Sequence, residues 1–369
     1  MSTPPVAITG IGLVSALGLD AVIACAAARA GLNRLRALDV LQWSAAEVFG
    51  GEPVAGHAVP LVASGFVGFA KTLALAHHAL ADLFARTPLA GAEAAHFGMV
   101  LLVSDGFLED RLHDPEAEED LPPPSQRWRA EAARLVPLLA RLAGLPPARC
   151  RIVHGHHAEF AEALALGAEA IARQRLQGCL VGALDCAFEP QRLIAAAEAE
   201  LLKTAGNPVG HLPGEAGGFV LLEAAGRSGG GRKALARLGG LERRRTRAWD
   251  PEAAAPDGSE LAAALIGALP PAPGPGWFVG DLNGEAARAQ EWGEVLVRVQ
   301  LARAGAADWP LELPALAFGE TGAAAGVVGT AFALHQFARR CAPPGSALLA
   351  LASDNGARAA LRLDPPAGD

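Results

Sequence analysis

The chain has 369 residues, 51% of them hydrophobic and 19% charged, with a formal net charge of −8. That length suits two domains, or one large domain built from two similar halves. The acidic balance argues against a nucleic-acid partner. Five scattered cysteines with no C-x-x-C pair predict reduced thiols rather than a disulfide framework.

The N-terminus, Met-Ser-Thr-Pro-Pro, has neither the basic nor the apolar region of a signal peptide, and alanine-rich stretches are broken by glycine before they reach membrane-span length. A cytoplasmic protein without membrane contact is expected. The opening reads as strand (residues 6–9), a turn at Gly10 and Gly12, and helix (19–30). Residues 99–104 are apolar until the last, Ser104, and predict a buried strand. Residues 105–127 are rich in acid and proline and predict an exposed insertion. Apolar spacing over 130–143 predicts an amphipathic helix.

A short strand (151–153), a helix of small residues (158–175), and strands at 179–181 and 219–223 follow. Small side chains permit close packing, so the helix at 158–175 is expected at the centre of the molecule. Gly229-Gly230-Gly231 marks a boundary, dividing the chain into 1–228 and 229–369. Beyond it come strand 234–238, helix 259–269, strand 277–279, helices 286–304 and 322–340, and strands 347–352 and 357–363. Alternation of this kind predicts an α/β protein with largely parallel sheets.

Five motifs in order then carry a resemblance. The strand and turn from Val6 to Gly18, the segment Ala28-Arg29-Ala30-Gly31-Leu32, and the strand end Val181-Gly182-Ala183-Leu184-Asp185 are the first three. Pro213-Gly214-Glu215-Ala216-Gly217-Gly218, leading into Val220-Leu221-Leu222-Glu223, and Gly322-Ala323-Ala324-Ala325-Gly326 complete them. Together they resemble the β-ketoacyl synthases of the thiolase fold over nearly the whole chain. The resemblance implies two pseudo-symmetric βαβαβ-type halves in a five-layered α-β-α-β-α arrangement. It also implies a homodimer, or a heterodimer with another ketosynthase-like protein, and no cofactor or metal.

Ketosynthase chemistry needs a thiolate at a helix N-terminus and two histidines that polarise the thioester oxygen. Aligned with those motifs, His157 stands where the family has its cysteine, within His154-Gly155-His156-His157. Asn283, within Asp281-Leu282-Asn283-Gly284-Glu285, stands for the first histidine, and Glu320, before Thr321, stands for the second. The candidate pocket is therefore His154, His156, His157, Asn283, Glu320 and Thr321, with family chemistry missing from all three key positions.

Other readings compete. His-x-His-His, with Cys150 four residues before it, offers metal ligands, or polar residues that cap the following helix and line a leftover pocket. Cys150 between Arg149 and Arg151 offers a low-pKa thiol at a strand start. Gly10-x-Gly12-x-x-Ser15 with Asp39 lacks the third glycine of a dinucleotide site. Arg243, Arg244, Arg245 and Arg247 read as a short basic loop, and Glu215 as a residue that holds a turn through backbone N–H groups.

The resemblance leaves three functions open. One is a non-catalytic partner or adaptor, since ketosynthase-like proteins without the cysteine occur beside bacterial protein-secretion genes and share segments like Asp281–Glu285. Another is a chain-length-factor-like subunit of a fatty acid or polyketide ketosynthase. The third is an acyltransferase of altered chemistry using His157, Asn283 and Glu320. Partners implied are a ketosynthase-like protein, an acyl carrier protein or a secreted protein. A polar residue in a leftover pocket would contribute little to folding, so His157→Ala is expected to be nearly neutral.

Overall fold

The computed structural model describes residues 6–37, 54–89, 91–112, 122–204, 206–226, 231–250, 253–272 and 274–366. Strand β1 (Val6–Ser15) is followed by a two-stranded ribbon, β2 (Arg36–Ala37) and β3 (Ala55–Gly56). Next come β4 (Phe97–Val103), β5 (Cys150–His154), β6 (Gly178–Cys186) and β7 (Glu215–Ala224). The remaining strands are β8 (Ala236–Arg245), β9 (Gly276–Gly280), β10 (Leu311–Glu312), β11 (Ser346–Ala352) and β12 (Ala357–Asp364).

One set of strands lies in the order β5-β4-β6-β7-β1, the other in the order β10-β9-β11-β12-β8. In each set the first three strands are parallel and the last two antiparallel to their neighbours. The same architecture is thus written twice. The sets join where Ala7 and Ile8 pair with Arg237 and Ala236, so the ten strands form one sheet that is continuous at that seam.

The principal helices are α1 (Ala21–Arg29), α2 (Gly68–Arg86), α3 (Phe107–Leu112), α4 (Pro124–Leu142) and α5 (Glu159–Ala172), then α6 (Pro190–Glu198), α7 (Ser259–Ala268), α8 (Ala286–Ala302) and α9 (Ala325–Ala338). Helix α5 packs on β4, β6 and β7 of one set and on β8 and β12 of the other. Helix α9 packs on β7 and β1 and also on β11 and β9. Both can lie between the sets because small residues, Ala and Gly above all, alternate with a few large apolar ones; in α9, all but three of fourteen residues are buried. Helices α2 and α7 cover the outer faces. No helix among the described residues is long and apolar enough to cross a membrane.

Several sequence expectations change here. Gly10 and Gly12 make no turn; they lie inside β1. A Cβ on Gly12 would sit 2.1 Å from the Ala79 carbonyl oxygen, so glycine is what lets α2 press against the strand. No phosphate-binding loop exists there, and Asp39 lies outside the described residues. Residues 105–127 are not a plain exposed loop: 107–112 form α3, Glu109 is buried, and α4 already starts at Pro124. Residues 113–121 lie outside the described part, as do Gly229 and Gly230 of the expected boundary. Arg243, Arg244 and Arg245 sit on β8, paired with β12, rather than in a loop. Helix α2 went unread in the sequence, although Leu75, Ala76, Ala79, Leu80 and Leu83 mark one buried face.

Candidate functional site

Strand β5 runs out at His154, and the next three residues lead into α5 with His157 fully enclosed. Its Nδ1 lies 2.8 Å from Asp281 Oδ2, just after β9, and its Nε2 lies 2.6 Å from Glu320 Oε1. Both ring nitrogens face carboxylates, so the imidazolium is the form that satisfies both. Burial alone would lower its pKa, but Glu320 and the two hydrogen bonds outweigh burial and raise it to about 10. The same pairing holds the Glu320 carboxyl well below its usual range against the opposing cost of burial.

Glu320 is fixed from several directions. Its backbone is bonded on both sides to the segment around Pro213, through Leu212 O and the Gly214 N–H. Its Oε1 also accepts from the Gly322 N–H at 2.6 Å, and its Oε2 from Asn283 Nδ2 at 2.7 Å. Gly322 adopts φ +52°, and a Cβ there would lie 2.0 Å from Asp185 Oδ2, which accepts from the Ala323 N–H at 2.7 Å. The glycine of this motif therefore lets Asp185, at the end of β6, reach the backbone before α9.

The network continues outward. Asn283 Nδ2 also donates to Glu285 Oε1 at 2.8 Å, which His211 Nδ1 approaches at 2.7 Å. Arg288 donates to Glu285, to Asp354 and to the Ala352 carbonyl. Burial would raise the Glu285 pKa, but Arg288 and His211 hold it down to about 2. Conversely, burial opposes and Glu285 favours protonated His211, whose pKa is raised. Across the cleft, Arg192 binds Glu109, Asp185 and Ser104. Phe107, Leu108, Leu193, Leu201, Leu202 and Pro213 give the same cleft an apolar wall.

Of the candidate residues, His157, Asn283 and Glu320 are brought into one hydrogen-bonded chain. His156 stacks on His157 with ring centroids 4.7 Å apart and lines the cleft. Thr321 is buried beside the gap behind His157. His154 is half-buried at the end of β5 and stays out of the network; its Nδ1 has no partner among the described residues. None of these histidines caps α5, because the Ala158 N–H is met by Ser353 Oγ at 2.9 Å. Glu215 accepts the Val59 N–H, as a turn-holding residue would, but also pairs with Lys71 Nζ at 2.9 Å and the Cys186 thiol at 3.0 Å. Cys150 is half-buried with its thiol pushed up to about 11 by burial, the opposite of a reactive thiolate.

His156, His157 and Glu320 lie close enough together for a metal ion. Two stacked rings, however, hold their lone pairs in separate parallel planes, and both His157 nitrogens are already engaged. The geometry is that of an enclosed ion pair.

No protein-family model matches the chain, and no curated protein matches it in sequence. Solved structures do match. A chain of AntDE:AntF, a type II polyketide synthase acyl-carrier protein in complex with its ketosynthase, superposes with TM-score 0.77 at 15% identity, covering 99% of this chain and 100% of that one. The oxazolomycin ketosynthase domain OzmH KS7 of Streptomyces albus gives 0.77 at 15%, covering 99% and 75%. The ishigamide ketosynthase/chain length factor gives 0.70 at 22%, covering 98% and 100%. This is the ketosynthase fold.

Within that fold, sequence reading missed Asp281, His211, Glu285 and Arg288 as members of the site. Asp281 is two residues from Asn283, directly after the buried strand β9. That spacing was the available signal. His211 gave none, since its carboxylate partner lies 74 residues away.

Proposed function

We propose that the protein is a non-catalytic ketosynthase-like subunit that acts through a partner. The supporting observation is His157. At the place the family uses for its nucleophile, the side chain is an imidazolium with both N–H groups donated to carboxylates. An imidazolium has no lone pair with which to attack an acyl carbon. Glu320 and Asn283, in the places of the two histidines, are occupied with each other and with His157 rather than aimed at a substrate oxygen. Groups that act as a unit in catalysis are here absent as a unit.

A ketosynthase-like protein or an acyl carrier protein is the proposed partner class, as in the acyl-carrier and chain-length-factor assemblies named above. A chain-length-factor-like role is one form of this reading. A place beside a protein-secretion system is another, and rests on the Asp281–Glu285 segment. The test offers the purified chain acyl and malonyl thioesters on acyl carrier protein. No ketoacyl product and no covalent mass increase on the intact protein are expected. Condensation above the no-protein control, or an acyl adduct lost in His157→Gln, would overturn the proposal.

A further inference from the structure

His57 takes no part in the network around His157, yet the fold encloses it completely. It follows β3, in a run (residues 54–60) that carries no other ionisable side chain. Three segments meet at this residue. Its N–H donates to the Pro213 carbonyl at 2.8 Å, and its carbonyl accepts the Glu215 N–H at 3.2 Å. The Pro213 segment is bonded in turn to Glu320, through Leu212 O and the Gly214 N–H. The ring itself lies against Gly319, where a Cβ would come within 2.8 Å of His57 Cδ2. Glycine at 319, with φ +77°, leaves the imidazole its room.

Charged groups stand on the segments around the ring, but each is turned to a partner elsewhere. Glu215 holds the Val59 N–H, Lys71 and the Cys186 thiol. His211 meets Glu285, and Glu320 meets His157, Asn283 and the Gly322 N–H. Glu189, next to the Phe188 ring that packs on Gly56, accepts the Gly68 N–H. Neither ring nitrogen of His57 has a partner among the described residues. A neutral imidazole fills such a place at modest cost, whereas an imidazolium finds nothing there to receive its charge. Burial accordingly lowers its pKa below 6.5.

We propose that His57 is an acid-released latch: on protonation its ring leaves the core, residues 54–59 separate from 213–215, and the cleft wall that Pro213 and Glu320 form loosens. Opening can stay local, because β3 pairs only with the two residues of β2 and stands apart from the ten-stranded sheet. Freed from the core, the ring binds a proton at about pH 6.5, and inside the core it does not, so acid favours the open form. Between pH 7.5 and 5.5 that difference multiplies the opening equilibrium about tenfold. The latch governs access to the cleft and holds whether or not the protein is catalytic.

The test is hydrogen exchange read by mass spectrometry on the full chain, with rates corrected for the intrinsic effect of pH. Amides of residues 55–59 and 214–216 should lose about tenfold in protection between pH 7.5 and 5.5, while β4 and α9 keep theirs. In His57→Gln, whose side chain is polar but does not titrate, the same amides should be equally protected at both pH values. Should that variant misfold, the wild type still decides the matter. Its loss of protection should set in near pH 6.5, where an imidazole titrates, and not near pH 4, where a carboxylate such as Glu215 ordinarily would. Four results would overturn the proposal: unchanged protection of residues 55–59 in the wild type, an equal loss in His57→Gln, an onset near pH 4, or loss of β4 and α9 together with these residues. The assay involves no acyl chemistry, so its failure leaves the acylation test of the previous proposal standing on its own.

Discussion

Around His157, charge meets charge inside the fold: the imidazolium lies between Asp281 and Glu320, Arg288 between Glu285 and Asp354, and Arg192 between Glu109 and Asp185. Beside β5, Arg149, Arg151 and Arg175 face solvent with no acidic partner among the described residues. The two regions are joined by a few residues of backbone, since β5 leads straight to His157. Charges that neutralise one another inside the protein hold elements together. Charges left over at a sheet edge contribute little to the fold. The cluster around His157 is thus internally compensated, and the arginines beside β5 are not.

Breaking the enclosed cluster should have the largest effect. Glu320→Ala leaves a buried imidazolium with one carboxylate, and should cost about 3–5 kcal/mol in urea unfolding. Glu320→Gln keeps the hydrogen-bonding shape and should cost less. His157→Ala strands two buried carboxylates and should cost roughly 2–3 kcal/mol, contrary to the near-neutral outcome that sequence alone suggests. Arg149→Ala and Arg175→Ala, on the open side, should stay within about 0.5 kcal/mol. Equal costs in the two regions would erase the contrast between them.

Acid sharpens the comparison through another histidine. His57 is completely buried, neither ring nitrogen has a partner among the described residues, and burial lowers its pKa below 6.5. The unfolded chain then binds the proton first, so stability is kept above pH 6.5 and lost as pH falls below it. His157 runs the other way: its contribution is full below pH 6.5, fades as pH rises, and is gone above about 10. Unfolding free energies from urea titrations between pH 7.5 and 5 should fall with a slope of at most about 1.4 kcal/mol per pH unit from this one group. His57→Leu should flatten that slope, and an unchanged slope would remove His57 from the account.

Much of the fold was legible because its signals are local. Met99 to Val103 is apolar throughout and is a strand, and the Pro213–Gly218 run does lead into β7. The Gly322 motif also precedes a buried helix as expected. Gly10 and Gly12 misled because glycine marks a turn in one setting and a close helix–strand contact in another, and only the neighbour Ala79 distinguishes them. In the site, the sequence singled out His157, Asn283 and Glu320 but not what each would touch. His157 reads as an orphan of a lost mechanism until Asp281 and Glu320, 124 and 163 residues away, are seen on its two nitrogens. His211 and Glu285 likewise meet only through the fold.

The account turns on the protonation state of His157. In protein labelled with 15N at histidine, and assigned by comparison with His157→Gln, both His157 ring nitrogens should still carry protons at pH 8.5, well below a pKa of about 10. An enclosed imidazolium of that kind is a structural ion-pair partner and not a nucleophile. A neutral imidazole already at pH 7, with one ring nitrogen free of its proton, would contradict the account and return His157 to the list of reactive groups.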